Sequence, residues 1–119
     1  MRKIVTIQKR NNLNVVYRAE GTGAGGATHY YLIKKIDNDE IVGEIRFQHG
    51  PRNAPNSIHG VLDNDLLEIV RDRLIAFNNG EFATRENAMA ITHIEEALLW
   101  LNKRVEDRAE RGVLGTTNK

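Results

Sequence analysis

The hydrophobic pattern changes period near residue 61. Before that point the apolar residues come in short runs. Ile4, Thr6 and Gln8 alternate with Val5, Ile7 and Lys9, so β-branched residues fall on both faces. Val15-Val16-Tyr17-Arg18, Tyr30-Tyr31-Leu32-Ile33-Lys34-Lys35-Ile36 and Ile41-Val42-Gly43-Glu44-Ile45-Arg46-Phe47-Gln48 are further β-rich runs. Each predicts a strand. Asn11-Asn12 separates the first two runs, and Asp37-Asn38-Asp39-Glu40 separates the last two at hairpin length. Four strands without intervening helices predict an antiparallel sheet.

Residues 49–60 hold both prolines, Pro51 and Pro55, with Gly50 and Gly60, and predict a long loop. Beyond it the spacing becomes helical. Leu67, Val70, Leu74 and Phe77 define one seam; Asn87, Ile91, Ile94, Leu98, Leu101 and Val105 define another. Asp63 and Thr84 are the expected N-caps, and Gly80 the expected left-handed cap between the helices. A short turn makes the pair an antiparallel hairpin. Leu66, Ile69, Ala97, Leu99 and Trp100 lie off these seams, so the helices must pack a second time, on the sheet or on another chain. Gly112, Gly115 and Thr116-Thr117-Asn118-Lys119 read as a frayed tail. The expected fold is α+β: an N-terminal antiparallel sheet of about four strands, then a two-helix antiparallel hairpin that mediates homo-oligomerisation. It forms a single domain over 1–119, with a strand-rich part at 1–60 and the hairpin and tail at 61–119.

Composition narrows the function. At 119 residues a monomer buries only about two thirds of its unfolded surface, which favours a second chain as a source of core. Seventeen Lys plus Arg against sixteen Asp plus Glu give +1, so no overall basic field holds DNA or RNA. The absence of cysteine excludes disulfides, thiolate metal sites and a Cys nucleophile, and fits a reducing cytoplasm. No apolar run reaches the length of a membrane span, and Met1–Gln8 lacks a signal-peptide core.

Three groups of residues are candidates for chemistry. Continuing one face of the second helix gives Ala97, Leu101, Arg104, Arg108 and Arg111, an apolar stripe that becomes three guanidinium groups. Arginine suits bidentate phosphate contacts. Glu106, Asp107 and Glu110 are interleaved, so a solvated helix end laced by ion pairs is the competing reading. Phe77 offers a stacking face, and Asn87 a donor and an acceptor for an adenine edge; alternatively Phe77 is core and Asn87 helps cap its helix. In the loop, Arg52 is either a ligand clamp or a solvent-exposed arginine. His49 and His59 lack any metal-motif spacing. Gly21-Thr22-Gly23-Ala24-Gly25-Gly26 matches G-x-G-x-x-G by letter, but a strand follows where a dinucleotide fold needs a helix. It reads better as a flexible hairpin loop that touches a ligand, if at all, through backbone N–H groups.

The run Arg85-Glu86-Asn87-Ala88-Met89-Ala90-Ile91-Thr92-His93-Ile94-Glu95-Glu96-Ala97-Leu98-Leu99-Trp100 resembles the helical hairpin shared by phage anti-CBASS and Thoeris anti-defence sponge proteins. The pattern R-E-x-A-x-A-I-T-x-[IL]-E-E-A-[LM]-x-W joins seam, polar and Trp positions in one register. With the preceding helix it covers about a third of the chain. The strand-rich half looks like the first Thoeris anti-defence family. The resemblance implies a phage protein that sequesters cyclic ADP-ribose isomers such as glycocyclic ADP-ribose, made by bacterial TIR proteins, without cleaving them. It would act in the host bacterial cytoplasm, as a dimer or a multiple of dimers, with no cofactor or metal and no catalytic residue. Some members also hold cyclic di- or trinucleotides of CBASS signalling. The family's ligand contacts fall here on Arg52, Phe77, Asn87, Arg104 and Arg108. The rival expectations are a phosphodiesterase using His49 or His59, and a protein–protein adaptor using the spare helix surface.

Overall fold

The computed structural model describes residues 1–119, with the side chain of Ala24 outside the description. Its contacts gather into two compact units, Met1–Val61 and Leu62–Lys119. The first holds β1 (Arg2–Lys3), β2 (Asn14–Arg18), β3 (Tyr30–Lys35) and β4 (Ile41–Arg46). The second holds α1 (Asp63–Asn78) and α2 (Arg85–Glu110). The α+β class follows: a four-stranded sheet in the order β1-β2-β3-β4, antiparallel throughout, then two helices.

The sheet register places Arg2, Arg18, Tyr31 and Ile45 in one row, and Lys3, Tyr17, Leu32 and Glu44 in the next. Adjacent rows point to opposite faces. Leu32, 7% exposed, is the one buried hydrophobic side chain among the described residues. On its face, Lys34 sits 5.1 Å from the Tyr17 ring and Arg46 4.5 Å from the Tyr30 ring. On the other face Tyr31 meets the edge of Phe47 at 5.7 Å.

The first predicted strand is shorter than its alternation suggests. Only Arg2–Lys3 are strand, and one further ladder bond joins Ile4 N–H to the Val16 carbonyl at 3.1 Å. Local bonds then compete with the ladder. Thr6 Oγ1 donates to the Gln8 carbonyl (2.8 Å) and Gln8 Nε2 to that of Arg10 (3.0 Å), while Asn11 turns left-handed at φ 59°. Val5 and Ile7 are left exposed, so the apolar alternation there has no face to pack on.

Residues 49–60 fold back on themselves instead of running as an open connector. His49 and Ile58 exchange both backbone bonds at 2.9 Å, and Val61 N–H donates to the Arg46 carbonyl at 2.9 Å. Gly60 lies where the returning chain crosses the end of β4. A Cβ there would stand 2.5 Å from the Arg46 carbonyl oxygen and 2.5 Å from the Phe47 carbonyl carbon.

The helix boundaries agree with the periodicity, but two of the three expected caps do not. Leu62, not Asp63, is the N-cap of α1, and the Asp65 carboxylate accepts from Leu62 N–H at 2.8 Å. A carboxylate one turn in can reach back to the cap amide, which leaves Asp63 free to begin the helix. Gly80 is not left-handed. The helix ends through Asn79 at φ −90°, with Asn79 and Gly80 N–H groups donating to Ala76 and Phe77 carbonyls. This tightened last turn satisfies the carbonyls without a positive φ. Thr84 is the N-cap of α2, its Oγ1 accepting from Asn87 N–H at 3.0 Å.

The tail is not frayed. Gly112 takes φ 72°, Val113 N–H donates to the Arg108 carbonyl at 2.9 Å and Gly112 N–H to that of Ala109 at 3.1 Å. These are the paired bonds of a Schellman stop. Between the helices Arg71 Nε donates to Glu95 Oε2 at 2.8 Å, with Glu68 3.6 Å from Arg71 Nη1. That hydrogen bond to Glu95, more than the nearby carboxylate charges, raises the Arg71 pKa. Gly60→Ala is expected to destabilise the protein by at least about 1 kcal/mol, because backbone must move to admit the Cβ; thermal unfolding followed by circular dichroism checks it.

Candidate functional site

The hairpin carries four of the five predicted ligand contacts, and it places them in two groups at opposite ends. Phe77 lies in the last turn of α1 and Asn87 in the first turn of α2. Phe77 is 44% exposed, and Arg73 stands 5.4 Å from its ring centroid. It is therefore a partly exposed ring with Arg73 over one face, not a buried core residue. Asn87 is half-buried. Its backbone N–H is taken by Thr84, and its Nδ2 reaches the Phe82 carbonyl at a long 3.5 Å. The side-chain oxygen accepts from no described residue, so half of the amide edge remains for a ligand. Asn78 Oδ1 accepts from Thr84 N–H at 2.9 Å, which pins the turn between the two residues.

Arg104 and Arg108 sit four residues apart near the other end of α2, about 6 Å along its axis. Their surroundings differ. Arg104 is exposed and makes no hydrogen bond or ion pair with the described residues. Arg108 is half-buried, and its Nη2 donates to the carbonyls of Val113 (3.0 Å) and Thr116 (3.1 Å). The tail thus holds one corner of the Arg108 fork and fixes its plane. Arg111, the third member of the stripe, is spent on Asp107 at 3.0 Å and on the Lys119 carbonyl at 2.7 Å. The ion-paired reading therefore holds for Arg111 and fails for Arg104.

Arg52 belongs to the other unit. It follows Pro51 in a turn closed by Ala54 N–H donating to the Pro51 carbonyl at 2.9 Å. Its guanidinium is exposed and engages no described residue. Of the loop histidines, His59 is exposed, whereas His49 stacks on His29 with ring centroids 4.5 Å apart and planes 17° from parallel. This pair borders a cleft of about 280 Å³ that also holds Tyr30 and Arg46. Sequence reasoning singled out His49 and missed His29. The pairing arises because Phe47 N–H bonds to the His29 carbonyl and brings the two segments together. Gly23 admits the pair closely, since a Cβ there would lie 2.6 Å from His29 Cδ2 and 2.8 Å from His49 Nε2. Also unforeseen is a cleft of about 540 Å³ on the hairpin, lined by Arg71, Glu95, Leu98 and Leu99.

Comparison with known proteins gives two findings. The Acb2/Tad1 hairpin-domain family matches residues 39–106, more than half of the chain, and so takes in Arg52, Phe77, Asn87 and Arg104. Thoeris anti-defense 1 of Bacillus phage SBSphiJ7 is 47% identical over 89 residues. The matched stretch covers 72% of this chain and 62% of that protein, so the chain spans less than two thirds of the relative's length.

Because Arg108 ties the tail down, Arg108→Ala should speed amide hydrogen exchange across residues 113–116 by about tenfold, the equivalent of losing one charge-assisted bond. Protection across 85–101 is expected to stay unchanged, and mass-spectrometric exchange measures both regions at once.

Proposed function

We propose a function from one premise: the chain belongs to the Acb2/Tad1 hairpin-domain family, and a close phage relative carries the name Thoeris anti-defense 1. The protein is a phage Thoeris anti-defence protein. It binds cyclic ADP-ribose isomers made by bacterial TIR proteins and withholds them intact, inside the infected host cell. Among the described residues no helix is long and apolar enough to cross a membrane.

The observation that carries this reading is Arg104. It continues the apolar seam of α2, it is the arginine of the stripe without a partner, and it stands one turn from a guanidinium oriented by the tail. Such a pair suits the diphosphate of the ligand, with each charge-assisted bond contributing roughly 1.5–3 kcal/mol. Phe77 stacks on the adenine, worth about 1–3 kcal/mol, and Asn87 reads its edge. Arg52, exposed on its own loop, is the fifth candidate phosphate contact. Sequestration at nanomolar signal needs roughly −12 kcal/mol, which these contacts reach once water is excluded.

One hairpin does not assemble this site. Asn87 and Arg104 are seventeen residues apart on a continuous helix, about 25 Å along its axis. A single cyclic dinucleotide-sized ligand does not span that length. Two hairpins laid antiparallel bring the turn end of one against the arginine end of the other, and twofold symmetry then forms two equal sites. The helices support this packing: neither holds a fully buried residue, and Trp100, Leu99 and Ile69 are 70%, 69% and 58% exposed. Withholding the signal requires no nucleophile and no metal. Cyclic di- and trinucleotides of CBASS signalling are a second ligand class for the same oligomer.

Native mass spectrometry with a panel of cyclic ADP-ribose isomers and cyclic oligonucleotides tests the ligand class. Heating the complex is expected to release unmodified ligand; recovery of a cleaved nucleotide would establish the phosphodiesterase alternative built on His49 or His59. Phe77→Ala should weaken binding more than tenfold in calorimetry while the oligomer persists. Mixing Phe77→Ala subunits with Arg104→Ala subunits should restore tight binding to a share of the sites, which neither variant shows alone, and no recovery after exchange would refute a site shared between protomers.

A further inference from the structure

The edge of the sheet carries an arrangement that the hairpin site does not use. The β1–β2 register sets Arg2 directly opposite Arg18, on the same face and in the same row as Tyr31. Like charges directly opposite each other on a sheet destabilise it. Both arginines are exposed, and neither forms an ion pair or a side-chain hydrogen bond with the described residues. The sheet therefore holds two uncompensated guanidinium groups side by side at its edge.

The same two residues line a cavity of about 530 Å³ together with Gly21, Thr22 and Gly26 of the glycine-rich loop. Gly21 and Gly26 contribute positive φ values of 81° and 78°, which bend the loop around the cavity. Gly21 and Thr22 also line it, and their backbone N–H groups donate to no described residue. The Thr22 hydroxyl is likewise unengaged, and that of Thr28 makes only a long 3.4 Å bond to the Gly21 carbonyl. One carboxylate, Glu20, borders the cavity; it faces the Met1 amino group at 3.6 Å. The balance of fixed charge around the cavity remains positive, and the other polar side chains there, those of Thr22, Thr28 and Tyr31, carry hydroxyls able to donate.

We propose that this cavity is a second anion site, in which Arg2 and Arg18 grip a phosphate-bearing ligand while the glycine-rich loop donates backbone N–H groups to it. Two forks on adjacent strands present parallel donors to phosphate oxygens, and an anion between them turns the repulsion into a bridge. The ligand is defined by its phosphates; a nucleotide and a free polyphosphate both supply that chemistry. The site lies wholly within Met1–Val61 and shares no residue with the hairpin site, so it stands independently of the proposed function.

The test is a ¹⁵N-NMR titration of the full chain carrying Arg104→Ala, which silences the hairpin site. Sodium pyrophosphate and ADP are added in separate experiments. Saturable shifts of the Arg2, Arg18, Gly21 and Thr22 amides are expected with at least one probe. A preference for ADP identifies a nucleotide, and equal response identifies a polyphosphate. Arg18→Glu, added to this background, should weaken the response at least tenfold. That change replaces a repelling pair with an attracting one, so it holds β1 in place and keeps the sheet signals dispersed. Absence of shifts at these amides with both probes, or shifts undiminished by Arg18→Glu, would overturn the proposal.

Discussion

A straight α-helix keeps its two ends apart, and that constraint organises the hairpin. α2 rises about 1.5 Å per residue over 26 residues, so groups in its first and last turns never meet within one chain. Phe77 and Asn87 at the turn end offer a ring and an amide edge, while Arg104 and Arg108 at the far end offer charge. Any ligand that needs both sets needs two copies of the helix. In the proposed site, ligand chemistry and association of the chain would thus be one requirement.

Burial points the same way. A chain of this length with a single buried hydrophobic among its described residues has placed little of its apolar surface out of water. Both units share the deficit; on the helices, the neighbouring residues Leu99 and Trp100 lie in the open. Covering them against a second hairpin would supply apolar burial and exclude water from the arginines in one step, which strengthens each charge-assisted contact.

Small polar devices hold the rest in place. Thr84 and Asn78 fix the turn that presents Phe77 and Asn87. The Schellman stop at Gly112 folds the tail back so that its carbonyls meet Arg108. A guanidinium already held in plane loses less freedom on gripping a phosphate than one that is free to rotate. Arg104 and Arg108 therefore differ: one is exposed and unpaired among the described residues, the other is held by two tail carbonyls.

The sequence by itself determined the elements that depend on local spacing. The change from runs of β-rich residues to three- and four-residue intervals marked three full strands, both helices and the break near residue 61, because periodicity is a property of the chain alone. It also marked Thr84 as a cap and the stripe that holds Arg104. It misjudged Ile4–Gln8, since alternation predicts a strand only where something covers one face, and here side-chain bonds from Thr6 and Gln8 turn the backbone away. It misjudged the tail, because Gly112 and Gly115 look like slack until carbonyls find the Arg108 fork. Which arginines are spent and which are free was decided only in three dimensions. Asp107 satisfies Arg111, while Glu106 leaves Arg104 unpaired and Arg2 faces Arg18 across a register that no local pattern encodes. Pairing depends on which groups the fold brings within hydrogen-bond reach, and that distance is a tertiary quantity.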